Sequence, residues 1–201
     1  MAKSGITLEL SKGGNLAHNN REHKIDYLID GNYFCDRTSA QALEYLQVLR
    51  AEAQKNYTER TKQKMQIDIN DNKFLWSAVV NLNQDHTLEN VQELAKELEK
   101  KYGWQCIQVS LHHDEGYIDD DNNQHKNYHA HIEFLGLDSK GNSIKRKIKK
   151  KDLIEIQTDV AKLLEMERGR NFNKEFKEFK NGERDTMPTK AKRLDTYEYK
   201  A

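Results

Sequence analysis

The chain has 201 residues, of which 33 are basic, 33 acidic and 36% hydrophobic, with one proline and two cysteines. That length accommodates one domain with a substantial core, or one domain and a tail, and no apolar run is long enough to read as a membrane span or a signal peptide. Cys35 and Cys106 are too few for a disulfide framework or a Cys-rich zinc module, so a metal site would have to use His, Asp or Glu. A soluble, cytoplasmic protein is expected, and the balanced charge gives no global field for a nucleic acid, so local clusters have to be read instead.

GITLEL, Gly5 to Leu10, alternates as a half-buried strand, and SKGGNLAHNNR after it reads as a loop rich in Gly and Asn. A long helix is predicted from Ser39 to about Gln66, with Ala42, Leu43, Leu46 and Leu49 at helical spacing. Phe74 to Leu82 reads as a strand. Thr87 to Tyr102 is a helix with Thr87 as N-cap, Leu88, Val91, Leu94, Ala95 and Leu98 on one stripe, and Gly103 as its stop. Gln105 to His112 alternates, placing Ile107, Val109 and Leu111 on one face and Gln108, Ser110 and His112 on the other. In YHAHIEF, Tyr128 to Phe134, the same period puts His129 and His131 on one face and Ala130, Ile132 and Phe134 on the other. A turn at DSKGN, the basic run KRKIKKK and a helix from about Lys151 to Met166 follow, and beyond Gly169 the polar composition reads as a docked helix or a loose tail. This order indicates an α+β fold with a central, mainly antiparallel β-sheet flanked by helices.

If the strands ending at His112 and beginning near His129 are neighbours, His112, His129 and His131 converge as a three-imidazole set with open positions, which is what a catalytic metal needs. His113 would fall on the core side if the strand continues. Asp114 and Glu115 are candidate supporting carboxylates. Spacing alone leaves a nuclease, a zinc hydrolase and a cupin all open.

HHDEG from His112, HAH at His129 to His131, and GGNLAHNNRE near the start together resemble the plasmid mobilisation relaxases of the MobV, or Pre/Mob, type within the HUH endonucleases. DLIEIQTDVAKLLEMERG, Asp152 to Gly169, is similar to that family's helix before its Glu-Arg-Gly segment, so the resemblance spans about residues 5 to 180. Two features depart from the pattern. GYIDDDNNQHKNY, residues 116–128, replaces a short gap and offers His125 as a spare ligand, and FLGLD stands where the family has a proline.

The resemblance implies an HUH-endonuclease fold, with a relaxase catalytic domain over residues 1–180 and a polar tail, or the start of a linker to a further C-terminal region, over 181–201. It implies that His18 of HNNR is the nucleophile and Arg21 sits by the scissile phosphate, with Glu115 and, less directly, Asp71 as active-site carboxylates. Tyr27 and Tyr33 are the nearest tyrosines, should the nucleophile follow the wider superfamily. A neutral imidazole can attack phosphorus without first losing a proton, whereas a phenol has to be ionised. The implied metal, held by His112, His129 and His131, is Mn²⁺ in preference to Mg²⁺, because nitrogen ligands suit it better. The implied partner is single-stranded DNA of an origin of transfer, nicked to leave a covalent 5′-phosphate adduct. Lys145, Arg146, Lys147, Lys149, Lys150 and Lys151 are candidate phosphate contacts on the rim of the site. Trp76 and Trp104 could stack bases, although core positions suit them as well. A full-length protein could oligomerise through a C-terminal region. Two other classes compete: a three-histidine zinc hydrolase of small molecules, needing neither basic rim nor His18, and a non-catalytic DNA-binding module.

Overall fold

The computed structural model describes residues 3–11, 15–25, 27–65 and 72–188. Five strands, β1 (Ile6–Leu10), β2 (Tyr33–Cys35), β3 (Leu75–Asn81), β4 (Gln105–His112) and β7 (His129–Leu135), form an antiparallel sheet in the order β1-β3-β7-β4-β2. Between β4 and β7 the chain makes a separate hairpin of β5 (Gly116–Ile118) and β6 (Gln124–Lys126). The helices are α1 (Leu16–Asn19), α2 (Ser39–Thr61), α3 (Leu88–Tyr102), α4 (Lys150–Leu163) and α5 (Phe172–Lys180).

The helix ends follow their capping chemistry. Thr38 accepts the Gln41 amide at 3.2 Å while the Gln41 side chain accepts the Thr38 amide at 2.9 Å, a reciprocal cap that starts α2. Asn90 likewise accepts the Thr87 amide at the head of α3, which ends at Gly103 with φ +85. α1 lies inside the stretch read as a loop, because four residues in a polar context carry no periodic signal.

β7 lies at the centre of the sheet and all seven of its residues are buried, since helices cover both faces. Ala130, Ile132 and Phe134 pack with Ala78, Val109, Leu111 and Leu94 in the core of the α3 and α4 side. Leu135, with Leu75, packs against Leu46, Leu49 and Ala53 of α2 on the other side. Ile107 belongs to this second cluster and does not share a face with Val109 and Leu111 as simple alternation predicted. The reason is a bulge between Cys106 and Gln108, which inserts one residue and turns its side chain over. The bulge leaves Gln108, Ser110 and His112 in register with Glu133, His131 and His129.

The described chain divides into two compact units, Met1–Arg168 and Gly169–Ala201, upstream of the boundary at 180 drawn from the sequence. In the second unit, Asn171 caps α5 through the Lys174 amide, and Arg170 and Arg184 pair with Glu175. No helix among the described residues is long and apolar enough to cross a membrane.

Candidate active site

His112 stands directly opposite His129, and Ser110 opposite His131, across the β4–β7 ladder. The three rings therefore meet on the α2 face at one end of the sheet, with centroid separations of 5.2 Å for His112–His129, 4.9 Å for His112–His131 and 5.0 Å for His129–His131. His129 Nδ1 lies 2.8 Å from the Asn127 carbonyl, which fixes the proton on that nitrogen and turns a lone pair on Nε2 inward. That lone pair lies 3.2 Å from His131 Nε2. The other nitrogen of His131, Nδ1, is buried without a partner, so protein groups alone leave this ring unsatisfied in either tautomer.

Glu115 closes the set. Its Oε1 lies 3.2 Å from His112 Nδ1 and its Oε2 lies 3.7 Å from His129 Nε2. Burial would raise its pKa, but His112, His129 and Arg21 outweigh that and bring it down to about 2, so the carboxylate is ionised. Either a proton or a cation has to separate that anion from the nitrogens facing it. His112, Glu115 and His129 form one group, and His18, His112 and His131 another, whose ligand atoms lie within 4.8 Å of one another and could hold a metal ion. Imidazole nitrogens with a single carboxylate suit Mn²⁺ or another first-row transition ion better than Mg²⁺.

α1 carries His18 to the edge of this cluster. Its ring is edge-on to His112 at 5.9 Å and to His131 at 5.6 Å, and its Nε2 lies 3.8 Å from Glu115. Its side chain is 30% exposed, against 0% for His112, so it is the accessible imidazole of the group. Burial lowers its pKa from the usual 6.5, opposed by Glu115, which keeps the ring neutral near pH 7. Arg21, in a left-handed conformation at φ 55, forks onto Asp114 through Nε and Nη2 and reaches Glu115 at 2.8 Å. Its guanidinium is thus turned toward carboxylates, and of its nitrogens only Nη1 is buried without a hydrogen-bond partner.

The other residues read from the sequence fall in different places. Tyr27 is half-buried, its phenol pKa raised by burial and by Glu115. Tyr33 faces His112 across the β2–β4 pair, is 42% exposed, and has the Arg21 guanidinium 5.8 Å from its ring centre. His113 lies beyond the end of β4, where its amide donates to Asn32 and its ring meets Tyr128 edge-on, so it is not a core residue of the strand. His125 is out on the β5–β6 hairpin, stacked on Tyr117 and paired with Asp119 at 2.7 Å, away from the three histidines. The hairpin leaves the site intact because its root is tied down: Asn127 donates to the Glu115 carbonyl, and Ile29 to that of Asp114. Asp71 lies outside the described residues.

The basic run is not brought to the histidines. The chain leaves β7 at Leu135, about 20 Å of strand beyond His129. Lys147 pairs with Asp138 there, and Ile144 and Ile148 pack on the α3 and α4 side. Trp104 is core, at 1% exposure, and Trp76 packs against it. Sequence reading missed Asn19, fully buried behind His18, and the polar group around it. Gln108, Glu133 and Ser77 lie beneath the histidines on the same face, and the polar half of the β4 alternation was the available signal.

No protein-family model matches the chain, and no curated protein does. Two solved structures match it over 98% of its length, each with a TM-score of 0.59 and 15% identity. Both are of the MobM relaxase domain (MOBV; Mob_Pre). The fold is that of a MOBV relaxase domain. One match is a manganese-bound crystal structure with a 22-nucleotide oriT DNA of plasmid pMV158 at pH 4.6, and the other has a 3′-thiophosphate and was obtained at pH 6.8. The alignment covers 98% and 97% of the two MobM chains, so the likeness extends over the whole relaxase domain.

Proposed function

We propose that this chain is a DNA relaxase that nicks one strand at an origin of transfer and remains joined to the 5′-phosphate, initiating plasmid mobilisation in the cytoplasm. One observation carries the reading. An accessible, neutral His18 stands at the edge of a buried set of His112, His129 and His131 that is completed by an ionised Glu115. The relaxase fold, and the oriT DNA and manganese of the MobM structures, support the same assignment.

In this reading His112, His129 and His131, with Glu115 against them, hold a divalent ion, Mn²⁺ in preference to Mg²⁺. When bound, such an ion offsets negative charge developing on the scissile phosphate. His18 attacks phosphorus with a ring nitrogen, the bond from phosphorus to the 3′-oxygen breaks, and the 3′-oxygen takes a proton from water, which regains one from the other nitrogen of the ring. Glu115 offsets the positive charge that the attacking ring acquires. Arg21 locks Glu115 and Asp114 in place, and its unpartnered Nη1 is the donor left for the phosphate. The phosphoramidate conserves the energy of the phosphodiester, so the strand can be resealed by the reverse reaction. Tyr33 offers a ring beside the site for a flanking base. Lys145, Arg146, Lys147, Lys149, Lys150 and Lys151 contact DNA phosphates well away from the cleavage point.

Incubation with single-stranded oligonucleotides of an origin of transfer and Mn²⁺ should give a covalent protein–DNA band. Cleavage without a retained strand would make the protein a simple nuclease, and binding without cleavage would make it a non-catalytic DNA-binding module.

A further inference from the structure

Asn19 touches the site through two different groups. Its side-chain Nδ2 points at Gln108 Oε1 and Glu133 Oε1, each at 3.3 Å, and Glu133 also accepts from Ser77 at 2.7 Å. Its main-chain oxygen lies 3.1 Å from His112 Nε2. The preceding residue is His18. One buried residue therefore ties the turn that carries the attacking imidazole both to the middle of the sheet and to a ring of the metal-binding set. α1 is four residues long, far too short to hold its shape alone, so its position depends on such contacts.

The two nitrogens of His112 face opposite demands. Nε2 faces a carbonyl, which needs a donor, and Nδ1 faces Glu115, which also needs a donor. A neutral imidazole has one proton and can satisfy only one of them. With a cation on the Nδ1 side, the proton belongs on Nε2 and donates to Asn19. Without a cation nothing fixes that choice, because Glu115 and the Asn19 carbonyl compete for the one proton. Metal-bound histidines generally hold their second nitrogen to a carbonyl or carboxylate in this way.

We infer that Asn19 is a positioning residue that couples metal loading to the docking of His18. The ion selects the His112 tautomer that holds the Asn19 carbonyl, which draws α1 onto the sheet, and the side-chain anchor to Gln108 and Glu133 returns the effect to the ion. Linkage is reciprocal, so docking of α1 raises metal affinity by the factor with which metal favours docking. The inference rests on the reading of the histidines as a metal site.

The test is Mn²⁺ calorimetry on the full chain together with amide hydrogen exchange of residues 15–22 with and without Mn²⁺. The reporters are the amides of Asn19, Asn20, Arg21 and Glu22, which bond within the turn to Asn15, Leu16, His18 and Ala17. In the parent protein, exchange of these amides should slow about fivefold or more on loading. Asn19→Ala keeps the main-chain carbonyl but loses the anchor to Gln108 and Glu133, so these amides should exchange faster than the parent's without Mn²⁺, and Mn²⁺ should bind more weakly by up to the factor with which it slows the parent's exchange. Should Asn19→Ala fail to fold, the parent's exchange decides alone. Mn²⁺ binding with exchange unchanged by the ion would overturn the coupling and leave the metal site standing. No Mn²⁺ binding by the parent would overturn the site itself, and the coupling with it.

Discussion

Lowering the pH from about 7.5 to about 5.5 in the absence of metal should destabilise this protein, chiefly through two buried rings. His129 and His131 are 4% and 8% exposed, and burial pulls the pKa of each below 6.5, in His131 well below, with the neighbouring imidazoles adding to the effect there. A depressed histidine pKa means that the folded chain binds fewer protons than the unfolded one. Stability is therefore complete above 6.5 and is lost as the pH falls from there toward the folded value. Over this interval each ring contributes a loss of at most about 1.4 kcal/mol, so the pair contributes at most about 3 kcal/mol, and the less buried His18 and His113, also lowered by burial, add to it in the same direction. Glu115 does not contribute in this window, because its depressed pKa costs stability only as the pH falls from 4.5 toward about 2. Urea denaturation in chelator, followed by the fluorescence of buried Trp104, measures the difference. His131→Gln should reduce the loss by about 1.4 kcal/mol. Parent stability that is flat or higher at the lower pH would refute the assignment of neutral, proton-resisting histidines.

His125→Ala should leave Mn²⁺ affinity unchanged in calorimetry, since its ring is held by Asp119 and Tyr117 on the hairpin. Arg21→Lys removes the fork that holds Asp114 and Glu115 and should lower stability by about 1.5–3 kcal/mol in urea, together with a fall in the nicking rate. Neutralising Lys149, Lys150 and Lys151 should flatten the dependence of DNA affinity on salt by close to one unit of log-log slope for each phosphate that the chain no longer neutralises. Because the run lies far from His18, cleavage of bound DNA at saturation should be unaffected.

Period-two alternation was enough to place His129 and His131 on one face and His112 on the polar face of its strand, and the antiparallel pairing of β4 with β7 then brings the three together. Alternation failed at Ile107, because one extra residue in a bulge inverts every facing before it and leaves no mark in the hydrophobic pattern. β2 was missed since three residues on a sheet edge are defined by their partner, not by their own composition. Adjacency in sequence misplaced the basic run: it follows the histidine strand, but a strand has two ends, and the chain leaves β7 by the end away from His129. The role of Arg21 was half legible. HNNR brings it near the site, yet only the fold shows that its guanidinium meets Asp114 and Glu115, 93 and 94 residues on.

The nature of the bond between protein and DNA separates a histidine nucleophile from a tyrosine. Attack by His18 forms a phosphoramidate, which acid hydrolyses readily, whereas attack by Tyr27 or Tyr33 would form an acid-stable phosphate ester. The expected adduct with single-stranded DNA is one that acid releases, that His18→Ala abolishes while still binding the uncut strand, and that Tyr27→Phe and Tyr33→Phe retain. An acid-stable adduct that persists in His18→Ala and vanishes in one of the tyrosine variants would contradict attack by His18.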